Sequence, residues 1–244
     1  MLQRTFACSA FLVLGVTGCS LETGPGQPDR LSVTLRVAAT PLAPSAEAPE
    51  SVTVGGHTLV LSQVQLVLRD IRLKRADHAE NCEDRADDCE YFSTGPMLLD
   101  LPLGGLPEKL LSVEVDTGTY RQVEFRIHKP EDDSGDSAFL AAHPDLTRIS
   151  VRVSGRYDGR SFVYISDLNA KQRNDLTPPL VVNAKGATDV TLKVNVARWF
   201  VAGGRLIDPA TAQKGQSNDN VVRDNIRDSF RWFEDEDHDG QDDR

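Results

Sequence analysis

Few of the residues from which active sites are commonly built occur in this sequence: five His, four Cys, two Trp and two Met in 244 residues. It has no Gly-x-Ser-x-Gly elbow, no His-Glu-x-x-His pair and no phosphate-cradling Gly-rich loop ending in Lys and Ser or Thr. Chemistries that rely on those spacings have no support in the sequence. Positive charge is scarce as well. With 27 Lys and Arg against 37 Asp and Glu the formal charge is −10, which excludes a basic nucleic-acid-binding domain. No apolar run reaches the length of about 20 residues that a helix needs to cross a hydrocarbon core. What is present is 39% hydrophobic residues, enough for one sandwich-sized domain and too much for wholesale disorder.

The first residues, MLQRTFACSAFLVLGVTGC, place Arg4 before a short apolar stretch that ends at Gly18, the pattern of a secretory signal. Val16-Thr17-Gly18-Cys19 resembles the lipobox of bacterial lipoproteins. That resemblance implies removal of residues 1–18 and acylation of Cys19, whose several chains would hold the protein stably on a membrane. Ser20 after the Cys points to the outer membrane. Residues 19–30, with Gly24, Pro25, Gly26 and Pro28, read as a lipidated tether. Cys8 leaves with the signal, so Cys82 and Cys89 remain as an expected disulfide in an oxidising compartment. A metal-thiolate reading of that pair finds only His78 as a further soft ligand nearby.

The mature chain alternates with period two. Leu31, Val33, Leu35 and Val37 face Ser32, Thr34 and Arg36, and the same pattern recurs around Val123, Phe125 and Ile127, and around Val190, Leu192, Val194 and Val196. Between His57 and Arg75 the apolar phase slips near Gln63 and again near Arg69 or Asp70, as at a bulge or a strand break, and the segment is read as two strands. Asp158-Gly159, between Ile149–Tyr157 and Phe162–Ile165, supplies the positive φ angles of a tight hairpin turn. About seven to eight strands result, an antiparallel β-sandwich over residues 31–203. In residues 204–244 the period changes. Val222, Ile226, Phe230 and Phe233 mark an amphipathic helix of about four turns.

After that helix comes DEDHDGQDD. Calcium takes six to eight oxygens, and Asp235, Asp237 and Asp239 at positions one, three and five, with Gly240 at six, suit a loop wrapped around one ion. Gln241 would add its carbonyl and Asp243 its side chain. The order resembles EF-hand, dockerin and thrombospondin type-three loops. The bidentate acid of position twelve is missing because the sequence stops at Arg244, so the site is expected to be open. The alternative is a solvated acidic tail. Residues 77–90 and 131–136 are acidic too, but without ligand order, and read as solvated loops. His57, His128 and His143 are scattered. Tyr157, Phe162, Tyr164, Trp199 and Phe200 read as core or rim, with a sugar-stacking platform as the alternative.

LSVTLRVA, LSQVQLVLRDIRLKR, MLLDL leading into LSVEVDTGTYRQVEFRI, and ATDVTLKVNVAR together resemble the bacterial lipoprotein domain of unknown function 4382. The resemblance implies a transthyretin-type (prealbumin-like) β-sandwich, often lipid-anchored, with no established activity. The expected protein is thus a non-enzymatic envelope lipoprotein that binds a protein or polysaccharide, with calcium shaping its tail. An envelope hydrolase using separated acids such as Asp116 and Glu124 is the alternative. The three acidic segments (77–90, 131–136 and 219–244) hold a net charge of −16, leaving +6 on the remaining body.

Overall fold

The computed structural model describes residues 30–40, 50–76, 89–93, 95–103, 107–131, 133–183 and 188–243. Their alternating segments form β1 (Arg30–Ala39), β2 (Glu50–Val54), β3 (His57–Arg75), β4 (Cys89–Ser93), β5 (Met97–Asp100), β6 (Glu108–Asp116) and β7 (Gly118–Ile127). The chain continues through β8 (Val151–Tyr157), β9 (Arg160–Ser166), β10 (Ala170–Val182), β11 (Thr188–Val194), the short β12 (Val201–Ala202) and β13 (Arg205–Leu206), and β14 (Phe230–Glu234). Two α-helices interrupt them, α1 (Ser137–Ala142) and α2 (Asp219–Arg227).

The strands build two packed sheets, the all-β sandwich that the alternation implies. One sheet has the order β14-β11-β1-β6 and the other β10-β7-β3-β8-β9, with β2, β4 and β5 pairing along β3. All these pairs are antiparallel except β1 with β11, where Val33 lies beside Thr188 and Ala39 beside Val194. A single apolar core fills the space between the sheets. Phe125 of β7 meets Phe230 and Trp232 of β14 edge-on at 5.2 and 6.0 Å, joining the last strand of the chain to the opposite sheet.

Two expectations are corrected. The segment 57–75 is one strand of 19 residues, not two. Its register shifts against β8 between Leu61 and Gln63, and against β7 between Arg69 and Arg72, where Asp70 takes a left-handed φ of 55°. Each bulge absorbs one phase slip, so the apolar face stays inward without a break. The C-terminal helix is also shorter than its apolar spacing suggests. It stops at Arg227, and Phe230 and Phe233 belong to β14, where alternate side chains serve the sheet and not a helical stripe. Burying Phe230 and Trp232 against Phe125 stabilises the strand by about 1.5–3 kcal/mol per side chain, more than local helix propensity offers.

A second lobe covers the β8–β9 half of the larger sheet. Tyr164 and Phe162 pack against Phe200, and Trp199, Val222 and Ile226 close the core there. On the outer face, the segment from His128 to Ser150 lays Phe139 and Leu146 over Val67.

Gly155 sits opposite Leu61 at the first bulge, where a Cβ would lie 2.1 Å from the Val60 carbonyl oxygen. Gly155→Ala is therefore expected to lower the urea unfolding free energy by about 1–3 kcal/mol; an unchanged midpoint would show that the strand pair yields freely at this point.

Candidate functional site: the C-terminal acidic loop

β14 delivers the acidic loop to the edge of a sheet. Glu234 pairs with Val190, and the Asp235 amide donates to the Asp189 carbonyl at 3.2 Å. From there the chain turns through two left-handed residues, His238 (φ 62°) and Gly240 (φ 76°), and returns so that the Asp243 amide donates to the Glu234 carbonyl at 3.2 Å. The loop is fastened to the sandwich at several points. Lys193 of β11 donates its Nζ to the Gly240 carbonyl at 2.7 Å, His238 Nε2 meets the Asp189 carboxylate, and Asp189 also takes the Arg36 guanidinium at 3.1 Å. A free solvated tail does not describe residues 235–243.

Within the loop, carboxylates cap backbone amides: Asp237 Oδ1 accepts from the Asp239 amide at 3.1 Å, and Asp239 Oδ1 from the Gln241 amide at 2.7 Å. Asp235, Asp237 and Asp239 each offer a carboxylate oxygen, and these oxygens all lie within 4.8 Å of one another. Gln241 directs its side-chain amide to Asp239 Oδ2 at 2.7 Å, and Asp243 accepts from the Glu236 amide, so Asp243 stands outside the cluster. Asp235 is 0% exposed, with Thr191 donating to Oδ2 at 2.7 Å and the Gly240 amide to Oδ1 at 3.4 Å. Among the described residues no Lys, Arg or His forms an ion pair with it. Both of its donors are neutral.

Glu124 and Asp116, the acids of the hydrolase alternative, both have cationic partners. Glu124 of β7 is buried and ringed by cations: Arg72 donates Nη2 at 2.6 Å and Nε at 3.0 Å, Arg173 approaches at 3.2 Å, and the Lys171 Nζ lies at 3.2 Å. Burial pushes this carboxyl up, but the Arg72 and Lys171 contacts outweigh it and hold Glu124 below the usual carboxylate range. The cavity beside it, about 60 Å³, is of water size. Asp116, its partner in the hydrolase alternative, instead faces Arg30 at 3.4 Å across β6 and β1. The two acids hold separate ion pairs on separate sheets.

Asp136, read as part of a solvated loop, is also 0% exposed. It accepts from the Glu131 amide at 2.7 Å and meets Arg69 at 3.1 Å and His128 Nε2 at 2.9 Å, pinning the segment that bears α1 onto the sheet. No periodicity in the sequence marks this arrangement, since its partners stand 67 and 8 residues away. His57 accompanies Asp158 at 2.7 Å in the hairpin turn, and His143 lies against the Phe139 ring. Tyr164, Trp199 and Phe200 are buried in the core, so they form no exposed sugar platform. Cys19 and Cys82 lie outside the described residues, and Cys89 opens β4.

No family model matches the sequence, and no curated protein matches it. Among solved structures the chain is similar to MbnP from Methylosinus trichosporium, at 12% identity and a TM-score of 0.44 over 80% of this chain and 87% of that one.

The Asp136 latch carries a pH signature. Burial acts to raise its pKa, but the Glu131 amide, His128 and Arg69 together lower it. Its contribution to stability is therefore complete above the unfolded value of about 3.9 and is lost as pH falls through the lower folded value. Asp167 behaves alike, held at about 2 by Lys214 and Arg223. Asp136→Asn is expected to lower the melting temperature at neutral pH and to flatten the fall in stability below pH ~4; an acid limb as steep as that of the unaltered protein would remove Asp136 from that account.

Proposed function

We propose that this chain is a lipid-anchored module of the bacterial cell envelope that binds a protein or polysaccharide without catalysing a reaction, and that calcium fixes its C-terminal loop. The observation that carries the calcium reading is Asp235, a buried carboxylate without a cationic partner among the described residues, with Asp237 and Asp239 converging on it. Carboxylate oxygens within 4.8 Å of one another are close enough to share one calcium ion, whose opposite ligands lie about 4.6–5.2 Å apart. Three carboxylates leave coordination positions for water or for a ligand oxygen, so affinity in the weak range of extracellular calcium modules is expected.

The anchoring part of the proposal rests on Val16-Thr17-Gly18-Cys19 and the Gly- and Pro-rich residues that follow. The ion pairs around Glu124 and Asp136 support a structural role for those acids, because both are held ionised by several partners. A carboxylate so held is a poor general acid at neutral pH.

Calorimetric titration of the mature protein with calcium is expected to release or absorb heat at a single weak site. Saturation to a hundredfold above Kd would stabilise the fold by about 2.7 kcal/mol. Asp237→Ala with Asp239→Ala should abolish both effects; a heat that survives this double substitution in folded protein would refute the site. Cells expressing the chain should also incorporate labelled palmitate, and Cys19→Ser should lose the label and release the protein from the membrane fraction. Retention of the label would place lipidation elsewhere.

A further inference from the structure

A lipid on Cys19, as proposed above, would hold the start of β1 nearer the membrane than the far end of the strand. Ten residues separate Cys19 from Arg30, where β1 begins, so Cys19 lies within about 38 Å of Arg30 even at full extension. Arg30 pairs with Asp116, and Asp116 leads through Thr117 to Gly118, whose register partner is Val182 of β10. The start of β1, the β6–β7 turn and the end of β10 therefore share one end of the molecule. The α2 lobe and the β8–β9 hairpin turn lie toward the other, since β3 pairs with β7 at Leu68–Arg75 and with β8 only at Leu59–Leu66.

This end carries an apolar projection. Among the described residues four large apolar side chains are exposed, and Val181, at 51%, is the one at the same end as the start of β1; Val163 and Ile165 belong to β9 and Val221 to α2. Next to Val181, β10 departs from its register with β7 between Asp175 and Leu180, so that Thr177, Pro178 and Pro179 bulge from the sheet edge, all three exposed. Buried Leu176 and Leu180 anchor the bulge on either side. Arg30 and Arg75 stand at the same end, with Arg75 over the Tyr120 ring at 5.7 Å. An apolar tip flanked by Arg side chains is the composition of a surface that seats at the headgroup and acyl boundary.

We infer that the Pro178-Pro179-Val181 edge rests on the phospholipid bilayer that holds Cys19, so that the domain stands on this end with the β9 face turned away. The inference rests on the lipid-anchor reading proposed above. The acidic loop emerges at the same end, because Glu234 pairs with Val190 near the start of β11, and β11 starts opposite Val33. Apposition to anionic headgroups is accordingly tested with calcium present.

The test uses the full lipidated protein in vesicles of phosphatidylethanolamine with a minor share of phosphatidylglycerol, some chains brominated near the carbonyl end. Val181→Trp and Ile165→Trp each add a tryptophan at an exposed site, against the buried Trp199 and Trp232. The tryptophan at position 181 is expected to shift to the blue and lose most of its emission to the bromines, while that at position 165 keeps both its wavelength and its emission. If the protein sediments with the vesicles but both tryptophans respond alike, the orientation is wrong and the anchor stands. If the protein does not sediment, the anchor fails and the orientation with it.

Discussion

β3 bonds along both edges, to β2, β5 and β4 on one side and to β8 and β7 on the other, and every layer of the molecule is placed by it. A strand this long twists too far to keep one flat partner throughout. The bulges at Leu61/Gln63 and Arg69/Arg72 divide it into three runs, all of which line the one apolar core. Because the side-chain period is two, the loss of either bulge would turn Leu59 and Leu61, or Ile71 and Leu73, out of the core.

Much of the sheet was legible in sequence because its signals are local. Leu31–Val37, Val123–Ile127 and Asp158-Gly159 each declare their state within a few residues. The two phase slips in β3 were legible too, although the sequence does not distinguish a bulge from a break. β10 was missed. In AKQRNDLTPPLVV only Leu176, Leu180 and Val182 are buried, since the strand lies at a sheet edge with one face in water, and Pro178 and Pro179 suit an edge and not a central strand. Phe230 and Phe233 were misread for the opposite reason: their spacing satisfies a helix, and only the distant ring of Phe125 draws the segment into a strand.

The acidic character reads differently in three dimensions. Sequence divides the charge into a basic body and three acidic appendages, yet Asp136 and Asp235 are as deeply buried as the aliphatic core, and Glu124 nearly so. Buried carboxylates fix geometry because each must be answered by a particular donor. Arg72, Lys171 and Arg173 answer Glu124, and Arg69 and His128 answer Asp136. Asp235 has Thr191 and the Gly240 amide. Of the candidate ligands, Asp235, Asp237 and Asp239 were legible from spacing alone. The docking of their loop through Lys193, Asp189 and Arg36 was not, because those residues are separated from it by some 45 to 200 positions.

The strand order of the smaller sheet also governs when the protein is able to fold. β1 leads the described chain, but its neighbours are β6 and β11, and β14, only ten residues before the last, completes the edge. Phe230 and Trp232 stand 105 and 107 positions beyond the Phe125 they pack against, and β14 follows every other strand of the sandwich along the chain. Until it is in place β11 has β1 alone as a partner. Contacts so distant along the chain make for slow, all-at-once assembly. The smaller sheet is therefore the last part of the fold to close, however early β1 is made.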